Sequence, residues 1–471
     1  MVLEPIRRFT VGKLRRGLTP GLLALTVSIY ALVIVGAVTS MADAAATCTT
    51  WPTCDGSVLP TISDPAVMVA MGHWFLTIIV FALLIGVTVL AWVVDAPTIV
   101  KIALGATLLL FPIQIGIGAM TVIVGPAEWF PGLHLLMAMA IFAGSLLALV
   151  YWLEWETREV SSSFDDSPSR EEAEVTPTVD GPIDVVRAYV QMTKPRLMWL
   201  LCIVALAGLG LATAATGVQL TWTVALGTLL GGVLAIGASG TFNHVLERDI
   251  DRSMARTSDR PLPQAVVPPR HALVFGGLLT VASIGTFLLT TNALAAGLGL
   301  VAIGFYSVVY TLVLKPNTTQ NIVIGGAVGA FPAIIGWAAA TGSIGIPAIV
   351  LGLVIFLWTP AHFYNLALVY KRDYERGGFP MLPIVRGEAV TRRHIVYYAG
   401  ATLLSVGVLG AIGGLGFLYA LTAIVAGGGF LIAIAHLYRQ QTPTAAMRTF
   451  HASNAFLGVL MLVIIVETLL I

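Results

Sequence analysis

Hydrophobic residues run in long stretches along almost the whole chain, separated by short charged segments. The first stretch, about 20–42, follows the basic residues Arg7, Arg8, Lys13, Arg15 and Arg16. It is long enough to cross a hydrocarbon core, which takes roughly 20 apolar residues. A cleaved signal peptide can begin in the same way, but further spans follow at once and favour a retained helix. Three more spans are predicted near 66–93, 99–124 and 130–152. Nine others are predicted near 195–215, 221–241, 271–290, 294–314, 320–340, 345–370, 394–414, 416–437 and 449–470. The pattern therefore predicts an all-α membrane protein with about 13 transmembrane helices. A spanning barrel would show alternating strands of about 10 residues instead.

The polar segments give the organisation. Between Glu154 and Asp180 the chain concentrates acids, among them Glu159, Asp165, Asp166, Glu171, Glu172 and Glu174, with Ser, Thr and Pro between them. Such a segment stays solvated. It predicts a boundary: a four-helix unit over 1–153, a linker over 154–182, and a nine-helix unit over 183–471. Basic residues favour the cytoplasmic side, which puts the N-terminus and the linker there. Two spans on come Arg248, Arg252, Arg256 and Arg260, and four further spans on come Lys371, Arg372, Arg376 and Arg386. Both loops fall on the same side by count, so charge and span number agree on a multi-pass protein of the cell membrane.

Composition narrows the classes. Hydrophobic residues make up 57% and charged residues 10%, against about 25% charged in soluble domains. That excludes a soluble enzyme. The net charge of +1 offers no basic stripe for a nucleic acid. The 48 glycines suit close helix contact in lipid. Three cysteines make no disulfide scaffold.

Candidate chemistry lies in the second unit's charged loops. Asn243, Glu247 and Asp251 are spaced four apart and share a helical face. Asp249 joins them if the helix ends there. Oxygen-only donors select a hard cation such as Mg²⁺, which keeps open positions for phosphate oxygens. Arg256 and Arg260, again four apart, suit bidentate phosphate contact. The plain alternative is a positive-inside loop whose charges pair with one another. A second cluster carries Trp358, His362, Phe363, Asp373 and Tyr374, with Asp373 as a second acidic pole. Lys194, Arg196, Tyr310 and Lys315 flank the clusters; singly, such basic residues at span ends serve as snorkelling anchors.

Residues from about 183 onward resemble the UbiA superfamily of intramembrane prenyltransferases, and within it the haem O synthase (protohaem IX farnesyltransferase) branch. Four blocks carry the resemblance, in order: Lys194-Pro195-Arg196; the Asn243–Leu262 acidic and arginine stretch; Leu314-Lys315 with Thr318 and Asn321; and Trp358 through Pro383. Two departures stand out: Pro316 replaces a usual basic residue, and Glu247 a usual Asp. The resemblance implies farnesyl transfer from farnesyl diphosphate to a vinyl group of haem B. It implies Mg²⁺ on Asn243, Glu247, Asp249, Asp251 and Asp373. Lys194, Arg196, Arg256, Arg260 and Lys315 are then expected on the diphosphate, and Tyr310, Trp358, His362 and Tyr374 on haem or prenyl. Alternatives are prenylation of a quinone precursor and a non-catalytic membrane haem carrier; removal of Mg²⁺ stops the enzymes and spares the carrier.

In the first unit, Cys48 and Cys54 are expected on the oxidising side, where a disulfide persists. Cys202, inside an apolar span, reads as plain packing. His73 and His134 start inward-running spans at matched depth, as two axial ligands of one haem or as two satisfied polar groups. With Trp51-Pro52 and Gln114 they resemble one half of haem A synthase, though Ala70 and Trp74 stand where that family has an acidic residue and an arginine. The resemblance implies haem b in this unit. It also implies a haem A synthase or terminal oxidase assembly as partner, and admits an oligomer.

Overall fold

The computed structural model describes residues 3–41, 48, 50–54, 56, 64–123, 129–160, 162–164 and 181–469. Asp165, Asp166, Glu171, Glu172, Glu174 and Asp180 of the acidic segment lie outside the described residues, as do the side chains of Arg7, Arg8 and Lys13. Among the described residues, 13 helices are long and apolar enough to cross a membrane, four before the acidic segment and nine after it.

The helices before that segment are α1 (Leu3–Met41), α2 (Pro65–Val93), α3 (Thr98–Ile123) and α4 (Phe130–Glu156). Then come α5 (Pro182–Met192), α6 (Pro195–Thr216), α7 (Trp222–Leu246), α8 (Arg248–Asp251), α9 (Pro269–Thr290) and α10 (Ala293–Gly304). A π-helical stretch, Phe305–Leu314, continues α10 and runs into α11 (Lys315–Asn317). After it lie α12 (Asn321–Gly325), α13 (Ala327–Thr341), α14 (Ile346–Val369), α15 (Lys371–Arg376) and α16 (Leu382–Val385). The chain ends with α17 (Glu388–Ile412), α18 (Phe417–Gln440) and α19 (Pro443–Leu469).

Helix ends follow local chemistry. Asp64 caps α2 by accepting from the amides of Ala66 and Val67. Thr221 caps α7 and Asn292 caps α10 in the same way. Gly217 and Gly342 close α6 and α13 in the left-handed conformation, which glycine adopts at no steric cost.

Two compact units emerge: Met1–Ser161 with Val406–Gln440, and Ser162–Ser405 with Gln441–Ile471. This differs from a division at the acidic segment alone, because the second half of α17 and all of α18 group with α1–α4. Small residues bring them together. A methyl added at Gly407 would sit 3.3 Å from Val33, and one at Gly428 would sit 3.3 Å from Val27. The acidic run marks where the chain meets water. It carries no information on which helix a later span lies against.

Within the second unit α6 and α13 touch backbone to backbone. A methyl at Gly208 would stand 2.2 Å from the carbonyl oxygen of Ala333, and one at Gly336 would stand 2.1 Å from that of Ala205. Glycine permits that approach, the usual device of helix association in lipid. Beside this crossing Leu209, Phe287, Ala295, Ala296, Ile335 and Ala339 form an apolar plug.

Candidate active site

Charged side chains of the second unit gather at the C-terminal end of α7. Asn243 is on its last turn, Glu247 caps it, and Asp251 ends α8 one turn further. All three are buried. Each meets a partner from elsewhere in the chain. Lys315 Nζ lies 2.6 Å from Glu247 Oε1, and Arg260 Nη1 lies 2.7 Å from Asp251 Oδ2. Lys194 Nζ donates to Asn243 Oδ1 and stands 3.1 Å from the Tyr306 hydroxyl. Asn243 Nδ2 donates to Thr311 Oγ1 at 3.1 Å.

These are more than neighbouring loop charges in mutual pairing. Glu247 and Lys315 are 68 positions apart and both buried. Desolvating such a pair costs several kcal/mol per ion, so its presence points to a role beyond stability. Burial drives the Glu247 carboxyl upward, but Lys315 and Lys194 outweigh it and hold it below the usual carboxylate range. For Asp251 burial prevails over Arg260, and its carboxyl lies above that range. Burial, with Arg260 adding, lowers the Lys194 ammonium to about 8.

A π-helix shapes this cluster. On an α-helix, Tyr306 and Lys315 would lie about 180° apart, at about 100° per residue. With about 4.4 residues per turn the same nine-residue separation makes about two turns. Tyr306, Tyr310, Thr311 and Lys315 then share a face. The Thr311 hydroxyl donates to the Tyr306 carbonyl five residues back, and the Tyr306 and Tyr310 rings stack at 5.5 Å. Tyr310 occupies the space left open by Gly325, where an added methyl would meet its ring at 2.4 Å.

Other expected residues fall in other places. Asp249 is 70% exposed and pairs with Arg248 and Arg252, because it points off the stripe of Glu247 and Asp251. It does not join the buried carboxylates. Asp373 accepts from the backbone amide of Arg256 at 3.2 Å, so it holds the arginine segment. Arg256 lies over the rings of Tyr370 and Tyr374 at 5.0 and 5.5 Å, and Lys315 over Phe379 at 4.3 Å. Arg196 is exposed on the first turn of α6. Trp358 and His362 stack at 4.2 Å, His362 stacks on Phe450 at 4.2 Å, and both bind Ser453 of α19. The sequence reading missed Tyr306 and Thr311. Their signal was present, Tyr306 four residues before Tyr310, but an α-helical period hides it.

The donors suit a magnesium ion in one respect that the structure displays: Asp251 Oδ1 is buried without a hydrogen-bond partner, close enough to Glu247 to feel its charge. Among the described residues no three carboxylate, histidine or cysteine side chains form a cluster able to hold a metal. Of the five residues expected on magnesium, Asn243, Glu247 and Asp251 lie together, whereas Asp249 pairs with Arg248 and Arg252 and Asp373 accepts from the Arg256 amide.

Below Lys194 and Tyr306 an apolar cavity of about 790 Å³, its open mouth included, runs between α6, α7, α10 and α13. Cys202, Gly232 and Phe331 are in its walls. Cys202 therefore lines a cavity, where the sequence suggested plain packing. Charged side chains thus stand at the mouth of an apolar-walled cavity.

A model of the UbiA prenyltransferase family matches residues 201–460. The chain belongs to the UbiA prenyltransferase family. It is 53% identical over 459 residues to a protein named protoheme IX farnesyltransferase 1 from Natronomonas pharaonis, covering 95% of this chain and 98% of that relative. A protein named protoheme IX farnesyltransferase from Leifsonia xyli subsp. xyli is 43% identical over 288 residues, covering 60% of this chain and 93% of the relative. The solved structure of a digeranylgeranylglyceryl phosphate synthase shares the fold, with TM-score 0.50 and 15% identity, over 61% of this chain and 100% of its own.

In the first unit, Cys48 and Cys54 are joined by a disulfide. His73 lies against Gly36 of α1 and His134 against Gly118 of α3, where added methyls would come within 3.3 and 3.0 Å of the rings. The imidazoles are near enough to interact electrostatically, and each buries its Nδ1 without a hydrogen-bond partner. Gln114 Nε2 donates to the His134 carbonyl at 3.0 Å.

Proposed function

We propose that this chain transfers the farnesyl group of farnesyl diphosphate to a vinyl group of protohaem IX, giving haem O and diphosphate. The observation that carries the proposal is the buried cation and carboxylate cluster at the mouth of an apolar cavity. It occurs in a chain whose full-length relatives bear the corresponding name.

The diphosphate lies among Lys194, Arg260, Arg256 and Lys315, with the prenyl chain in the cavity. Asp251 and Glu247, with Asn243 alongside, would hold magnesium, which would supply charge neutralisation for the leaving diphosphate. Lys194 and Arg260 stabilise the same charge as it develops. The C1–oxygen bond breaks and its electron pair leaves with the diphosphate. Tyr306 and Tyr310 turn aromatic faces toward the allylic cation, while the apolar walls keep water from it. The vinyl π electrons close the new carbon–carbon bond. Water then adds to the cation left on the porphyrin side chain and loses a proton, which makes the hydroxyethylfarnesyl group.

Loop charge supports a cell-membrane location with the N-terminus and this pocket on the cytoplasmic side. For the first unit we propose haem b binding through His73 and His134, supported by their adjacency and unpartnered Nδ1 atoms. An association with a haem A synthase or terminal oxidase assembly fits that reading.

The test incubates membranes carrying the chain with haem B, farnesyl diphosphate and Mg²⁺, and weighs the extracted haems by mass spectrometry. Haem O is expected, absent after chelation and in Asp251→Asn. Prenylation of an aromatic quinone precursor, with haem untouched, would establish the other acceptor. Haem binding with no prenyl transfer from a folded, Mg²⁺-supplied protein would leave a carrier.

A further inference from the structure

The cavity below Lys194 has a readable depth. A methyl at Gly240 would lie 3.3 Å from Lys194 Cγ, so these two residues mark one level. From there Gly232 is eight residues along α7, and Cys202 is eight residues beyond Lys194 along α6. At about 1.5 Å per residue, both stand about 12 Å below the charged head. Both line the cavity. Nothing lies within 4 Å of where a side chain at Gly232 would begin. The glycine there is not needed for helix contact, unlike Gly208 and Gly336. It leaves space.

The prenyl chain can be laid on the same scale. Each isoprene unit adds four carbon–carbon bonds of about 1.5 Å, or about 5 Å along a zigzag. The third unit of a farnesyl chain then falls about 10–15 Å from the diphosphate, at the level of Gly232 and Cys202. A geranyl chain ends above it.

We propose that Gly232 and Cys202 set prenyl chain length, the missing side chain at Gly232 being the space that the third isoprene unit occupies. This rests on the prenyl diphosphate reading of the cavity but not on haem as the acceptor. Gly232→Leu places a side chain nearly the bulk of one isoprene unit in that space. It is expected to lower kcat/KM for farnesyl diphosphate by at least about tenfold relative to geranyl diphosphate. Gly232→Ala shifts the ratio in the same direction by less. An active Gly232→Leu variant with an unchanged farnesyl-to-geranyl ratio overturns the proposal.

A second measurement uses the unaltered full-length protein. Of the three cysteines, Cys48 and Cys54 are disulfide-bonded, which leaves Cys202 as the free thiol. A small methanethiosulfonate reagent should modify it. Farnesyl thiodiphosphate, an unreactive analogue, should slow modification by at least about tenfold, and geranyl thiodiphosphate by less than about twofold. Equal protection by both, or by neither, overturns the chain-length assignment whatever the acceptor. The expected labelling pattern, in a protein that transfers no prenyl group to haem, overturns the acceptor and leaves the chain-length assignment standing.

Discussion

Lys315→Met removes the cation that faces buried Glu247. At 2.6 Å the two charges attract by about 6 kcal/mol at an effective dielectric constant of about 20. Desolvation offsets much of that, yet breaking such a pair from one side costs about 3–5 kcal/mol, because the buried carboxylate loses its hydrogen-bonded cation and keeps only the weaker pull of Lys194 and Arg260. For a unit of this size, with an unfolding entropy of about 2.1 cal/mol/K per residue, melting should fall by about 5–9 °C. Glu247→Gln combined with Lys315→Met leaves two neutral groups in the same space and should return stability to within about 1 kcal/mol of the parent. Prenyl transfer should not return with it. Both variants are expected to lose at least about 100-fold in turnover, since each lacks a donor to the leaving diphosphate and the double variant also lacks a metal-facing carboxylate. The assays are thermal melting in detergent and haem O formation on the same preparations. Parental turnover in the double variant would refute the catalytic role. Parental melting in Lys315→Met would refute the stabilising role of the buried pair.

Three further outcomes are expected. Lys194, lowered to about 8 by burial, is charged below that pH and neutral above it, so kcat/KM for farnesyl diphosphate should fall as pH rises through about 8; Lys194→Arg, which stays protonated, should lose that limb, and an unchanged profile would assign the limb to another group. His134→Ala should alter or abolish the haem spectrum of the first unit while haem O formation stays within about twofold; an unchanged spectrum removes the ligand assignment. A fragment beginning at residue 181 should still form haem O, because a relative spanned by 60% of this chain is nearly complete without the rest. It should also melt below the full chain, because α18 loses α1 and α4; equal melting would show that those contacts stabilise nothing.

Much of this protein is written along the chain as local physics. A run of about 20 apolar residues must satisfy its own backbone in lipid, and only a helix does so within one segment. That requirement makes 13 spans readable without any contact information. The stripe of Asn243, Glu247 and Asp251 was equally legible, because four-residue spacing on one helix is a local property. Three-dimensional structure decided which groups gather around that stripe. Asp249 was turned outward, Lys315 was brought to Glu247 from 68 positions away, and Tyr306 was aligned with it by a π-helical register that α-helical periodicity conceals. It also placed α18 against α1 and α4 and opened a cavity at Gly232 while closing helices together at Gly208 and Gly336. The same residue type serves opposite ends there, and the difference lies wholly in the facing helix. Hydrophobicity selects the membrane and the helix from the chain itself, whereas contact between helices depends on shapes supplied by distant segments.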